Sequence, residues 1–161
     1  MSGGTGKRKE ECKMIAIGCD HGGLELKDFI AEYLKKEGYE VKDFGIYENK
    51  SVDYPDIAKP VCESVLKNEC DRGILICGTG IGMSIAANKF NGIRAAVCGD
   101  IYSAKMTKIH NNANIITMGA RVIGQETARE IVNAWLTNEY EGGRHQNRLD
   151  KISDIEKNQR K

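Results

Sequence analysis

Short apolar runs alternate with longer amphipathic segments along most of this chain. MIAIGCD (14–20) predicts a buried strand, and LELKDFIAEYLKKEG (24–38) follows with apolar residues near helical spacing and Gly38 as a stop. EVKDFG (40–45) predicts a second strand, and YPDIAKPVCESVLKN (54–68) a helix with Pro55 near its start. Pro60, one turn in, leaves the starting point of that helix open. GILIC (73–77) is the most continuous apolar run and predicts a central strand, with IGMSIAANKF (81–90) as the next helix. RAAVCG (94–99) and NIITMG (114–119) predict strands; IYSAKMTKIHN (101–111) and QETAREIVNAWLTNEY (125–140) predict helices. The last segment, 145–161, sets Leu149, Ile152 and Ile155 three apart. That stripe is too narrow to fill a core of its own and suits packing on a neighbour, another subunit included.

Five βα units in succession predict an α/β fold: a five-stranded parallel sheet with helices on both faces and an extra C-terminal helix. There is no internal repeat and no low-complexity linker. Residues 1–13, MSGGTGKRKEECK, read as a flexible N-terminal arm, and 14–161 as a single domain.

Composition narrows the function. A chain of 161 residues, 40% hydrophobic and 29% charged, is long enough for one sizeable core. A net charge of +1 argues against a broad surface for nucleic acid. No run approaches the roughly 18 apolar residues of a transmembrane helix, so no membrane partner is expected. The basic opening has no apolar stretch after it of the kind a secretory signal needs. None of the six cysteines forms a C-x-x-C pair, which points to a reduced, cytoplasmic protein rather than a disulfide or zinc framework. Cys19 and Cys98, at the ends of apolar runs, read as small hydrophobes.

In open α/β sheets, ligands bind beyond the carboxyl ends of the strands. Those ends here carry Asp20-His21-Gly22-Gly23, Cys77-Gly78-Thr79-Gly80, Gly99-Asp100 and Gly119-Ala120-Arg121. The loop at 78–82 fits neither G-x-G-x-x-G, because position 83 is Met83, nor the P-loop, because no Gly-Lys-Ser/Thr follows. It runs G-x-G-x-G directly into a helix, where backbone N–H groups and the helix end favour an anion. A tight turn without a ligand is the plain alternative. Cys77 stands at its mouth, where the same amides favour a thiolate suited to nucleophilic attack or to proton abstraction beside a carbonyl. Asp20-His21 is a reasonable acid/base or phosphate-binding pair, and His110, near a helix C-terminus, is equally a cap. Arg144 and Arg148 share a helix face and with Arg121 suggest a phosphate clamp, against the alternative of a solvated basic face with Glu139 and Glu141 nearby.

Taken in order, D-H-G-G, D-Y-P (53–55), C-G-T-G-I-G-M-S-I-A-A-N-K (77–89), H-N-N (110–112) and E-G-G-R-H-Q-N-R (141–148) resemble type B ribose-5-phosphate isomerases. The wider group includes galactose-6-phosphate and allose-6-phosphate isomerases, and the resemblance covers roughly residues 14–158. It implies a Rossmann-like three-layer α/β/α sandwich and a homodimer, or a tetramer, with active sites shared between subunits. It implies no metal or organic cofactor, and interconversion of ribose 5-phosphate and ribulose 5-phosphate. Carried over by position, Cys77 is the base and Gly78, Thr79, Gly80, Ile81 and Gly82 hold the enediolate oxygen. His110 opens the sugar ring, Asp20 relays protons, and Tyr54 and Asn111 contact substrate. His21, Arg121, Arg144 and Arg148 hold the phosphate. Some relatives carry glutamate as the base; position 77 places this chain on the cysteine branch. A six-carbon sugar phosphate, a nucleotide-binding module and a thiol enzyme with a covalent intermediate are the competing readings.

Overall fold

The computed structural model describes residues 12–159. Five strands and six helices alternate among them: β1 (Met14–Cys19), α1 (Leu24–Lys36), β2 (Glu40–Asp43), α2 (Tyr54–Leu66), β3 (Arg72–Cys77), α3 (Ile81–Ala87), β4 (Ala95–Val97), α4 (Ile101–Ile109), β5 (Ile115–Gly119), α5 (Gln125–Leu136) and α6 (Arg144–Gln159). The strands form one parallel sheet in the order β2-β1-β3-β5-β4. This is the three-layer α/β/α arrangement that the alternating pattern predicts.

Period-two side-chain alternation divides the core into two layers. Ile15, Ile17, Cys19, Ile74, Ile76, Ile116 and Met118 face α1, α4 and α5, where Leu26, Ile30, Ala104, Ile131 and Trp135 pack. Ala16, Leu75, Cys77 and Ile115 face α2 and α3, against Ala58, Val61, Cys62, Met83 and Ala87. The nearly unbroken apolar runs of β1, β3 and β5 follow from burial on both faces.

Helices end earlier than their sequence patterns suggest, at Lys36, Leu66, Ala87 and Leu136. Pro60 lies inside α2 without splitting it. Pro60 is the seventh residue of α2, so its missing N–H removes the intrahelical bond to the Asp56 carbonyl. Residues 1–11 of the expected arm lie outside the described residues. Cys12 is buried in the core, and the Lys13 amide donates to Asp71 Oδ2 at 2.8 Å, so these two residues pack with the domain.

One buried cation fixes the loop after β2. Lys27, on the inner face of α1, is 1% exposed and donates to Asp43 Oδ2 at 2.8 Å and to the Ile46 carbonyl at 2.8 Å. Burial alone pushes its pKa down. Hydrogen bonds and charge from Asp43 and Asp28 outweigh that, so the net direction is upward and Lys27 stays charged. No helix among the described residues is long and apolar enough to cross a membrane.

Candidate active site

The sheet order places a crevice between β1 and β3, because the chain leaves β1 toward β2 on one side and leaves β3 toward β4 on the other. β3 and β5 end level, with Cys77 paired to Gly119, so three strand ends meet in one place.

Local chemistry shapes the loop leaving β3. Gly80 has φ +82°, and a Cβ there would lie 2.8 Å from the Met118 backbone, so only glycine fits. Gly119 is equally constrained, since a Cβ there would meet the Thr79 backbone at 2.6 Å. The fully buried Thr117 hydroxyl donates to the Gly80 carbonyl at 2.7 Å. The amides of Ala120 and Arg121 donate to the carbonyls of Cys77 and Gly78 at 2.9 and 3.0 Å. These clamps hold Cys77, 5% exposed, so that its Sγ accepts the Gly80 N–H at 3.1 Å. A donated N–H suits a sulfur that carries negative charge. The Ile81 amide donates to Thr79 Oγ1 at 3.2 Å, and the first-turn amides of α3 that follow lack intrahelical acceptors.

Other predicted residues gather on this edge. Asp20, 9% exposed, accepts the Gly22 N–H at 2.9 Å, and Gly22 lies against Gly78. The Arg121 side chain lies over Gly78, and the Tyr54 ring stands against the α-carbon of Gly82, where a Cβ would meet it at 2.7 Å. Exposed His21 accepts the Val52 N–H through Nδ1 at 3.4 Å, which leaves Nε2 as the ring's donor.

The remaining predicted residues are elsewhere in the chain. His110 is the C-cap of α4, and Asn111 follows it. α4 has nine residues, so its end stands about 13 Å back from the carboxyl edge, toward the strands' amino ends. The Glu141 amide donates to the Ile109 carbonyl at 3.1 Å, which delivers the chain to α6 at that same end. Arg144 opens α6 and Arg148 sits one turn on, both exposed. The clamp expected from Arg121, Arg144 and Arg148 is therefore not assembled within one chain. Helical spacing pairs Arg144 with Arg148, but parallel βα topology sends helix ends and strand ends to opposite edges.

Two residues without a predicted role join His110. The His145 ring stacks on the His110 ring with centroids 4.3 Å apart, and His145 Nε2 lies 3.4 Å from Glu141 Oε1. Glu141 and His145 are four apart in the sequence, but nothing in the linear spacing brings His110 to them. Burial marks five thiols as packing groups: it pushes Cys19 up to about 11 and Cys62 up to about 12, and raises Cys12, Cys70 and Cys98.

Comparison with known proteins gives this arrangement a lineage. The family model described as Ribose/Galactose Isomerase matches residues 15–152. Ribose-5-phosphate isomerase B of Escherichia coli is 52% identical over 144 residues, 89% of this chain and 97% of that protein. A D-erythrulose-4-phosphate isomerase of Pectobacterium atrosepticum is 48% identical over 140 residues, 86% of this chain and 91% of that protein. Among solved structures, ribose-5-phosphate isomerase B of Clostridium thermocellum superposes with a TM-score of 0.89 at 58% identity, covering 90% of this chain and 98% of that one. The chain belongs to the ribose/galactose isomerase family.

Proposed function

We propose that this protein interconverts ribose 5-phosphate and ribulose 5-phosphate through an enediolate, with Cys77 as the base. The observation that carries the reading is the Cys77 sulfur, held by the Gly80 amide inside a glycine loop at the sheet's carboxyl edge. Cys77 takes a proton from the carbon beside the carbonyl and returns it to the neighbouring carbon. The negative charge that appears on the sugar oxygen is met by the loop amides and the Thr79 hydroxyl, which are in place before the charge develops. Asp20 relays hydroxyl protons. Tyr54 walls the site beside Gly82.

The acting enzyme is a homodimer with shared sites. The base and its loop lie on one edge of the sheet, whereas His110, Asn111, Arg144 and Arg148 lie at the other, so one chain holds two complementary halves. An isologous dimer brings each half to the other's complement and makes two sites. His110 of the partner subunit then opens the furanose ring. His21 and Arg121 meet Arg144 and Arg148 of the partner subunit around the phosphate. Exposed apolar side chains are available for such a contact, among them Ile81 and Ile85 on α3 and Ile152 and Ile155 on α6. The described cysteines are all free thiols, which suits the reducing cytoplasm.

The test is turnover in deuterated water. Wild-type protein should convert ribose 5-phosphate to ribulose 5-phosphate and place solvent deuterium in the product. Cys77→Ala should lose on the order of 10³-fold in rate while melting as the wild type does. Near-normal turnover in that variant overturns the assignment. Parallel assays with four- and six-carbon sugar phosphates rank the substrates, and a preference for one of those replaces ribose 5-phosphate in the reading.

A further inference from the structure

At the amino-terminal edge of the sheet, His110, Glu141 and His145 converge, each offering one ligand atom within 4.8 Å of the other two. The Glu141–Ile109 backbone hydrogen bond and a turn through Gly142 and Gly143, with φ of +68° and +55°, hold the group together. His145 is 7% exposed, and its Nε2 forms no hydrogen bond. A buried nitrogen without a partner costs on the order of 1–3 kcal/mol. His145 Nε2 lies 3.4 Å from Glu141 Oε1, and Glu141 is 60% exposed.

Two imidazole nitrogens and one carboxylate oxygen are the donor set of an open, three-ligand zinc site, with a fourth position left for water. Oxygen-seeking magnesium and calcium gain little from two imidazoles. Ligand atoms about 2.0–2.2 Å from zinc lie closer together than the 4.8 Å limit seen here, so the group must contract onto an ion. Exposed Glu141 is free to swing inward. The histidine rings are nearly parallel, 16° apart, and must fan open because their lone pairs lie in the ring planes.

We propose that His110, Glu141 and His145 form a binding site for a zinc-class divalent cation that acts as an inhibitor of the enzyme. Binding depends only on the three side chains. The inhibition rests on the reading of His110 as the ring-opening acid, since the ion occupies that imidazole. Ribose 5-phosphate must be opened from its furanose form. Ribulose 5-phosphate, with its C5 oxygen esterified, is already open. Zinc should therefore slow turnover of the aldose far more than turnover of the ketose.

Titration calorimetry with zinc chloride on Cys77→Ser protein, which lacks the active-site thiol, reads the site directly. The expected result is one zinc per chain, weakened at least about tenfold by Glu141→Gln and by His145→Gln, with no magnesium binding. Glu141 is exposed, so its variant keeps the test informative if the buried His145 variant fails to fold. No zinc binding, binding undiminished by Glu141→Gln, or binding lost with Cys77→Ser while the three residues are intact would each overturn the proposal. Binding that needs Glu141 but slows both directions equally upholds the cation site and removes His110 from ring opening.

Discussion

Gly80 concentrates three duties in one residue. Its left-handed backbone turns the chain from β3 into α3, its missing side chain admits the Met118 backbone, and its amide reaches the Cys77 sulfur. Gly80→Ala should therefore cost at least about 1–2 kcal/mol from the left-handed conformation alone. It should also lower kcat by moving the amide off the sulfur. Thermal melting and steady-state kinetics read the two effects, and an unchanged kcat would separate the amide from the chemistry. The other cysteines set an alkaline limit on stability. Cys19 and Cys62 have folded values of about 11 and about 12, above the ordinary thiol range, so from about pH 9 the unfolded chain releases thiol protons that the folded chain retains. Stability should fall from there through about pH 12, visible as a declining urea midpoint. A midpoint unchanged between pH 8 and pH 10.5 would count against it.

Helix α1 and the loop after β2 act as one unit through Lys27. Its ammonium joins Asp43, the Ile46 carbonyl and, at 5.2 Å, the Tyr47 ring, and the same loop continues to Val52 against His21. Lys27→Met should lose about 2 kcal/mol of stability through the lost Asp43 ion pair and the orphaned Ile46 carbonyl. On the proposed reading of His21 as a phosphate contact, it should raise KM more than it lowers kcat. Urea unfolding with paired kinetics checks both. The elements themselves are legible in the sequence because burial on two faces writes continuous apolar runs for β1, β3 and β5. Amphipathic spacing likewise marks α1 and α5. Helix ends are not legible: polar residues such as Thr137 and Asn138 continue the helical pattern after the hydrogen-bonded helix has stopped at Leu136. The loop half of the site is legible too, because strand ends in a parallel sheet share one edge. The grouping of His110 with Glu141 and His145 is not, because it arises where the end of α4 meets the approach to α6. The same holds for the distance between Arg121 and Arg144, since spacing along a helix does not report which edge of the sheet the helix reaches.

At the scale of the molecule, the divided site predicts rescue between broken copies. Cys77→Ala and His110→Asn proteins should each be nearly inactive on ribose 5-phosphate. Unfolded together and refolded as a mixture, half of their dimers are mixed, and each mixed dimer holds one site with both residues intact. Activity should return to roughly a quarter of the wild-type level. A mixture no more active than its components would show that each site is built within one chain.

In the proposed dimer, the same division decides how a faulty copy behaves beside a sound one. A chain damaged only at Cys77 still lends its His110 to a healthy partner, so a mixed pair keeps one working centre. A chain damaged at both positions ruins its own loop and withholds the complement its partner needs, silencing both centres of every pair it enters. Two lesions in one copy are then dominant over the normal protein in a way that neither lesion is alone.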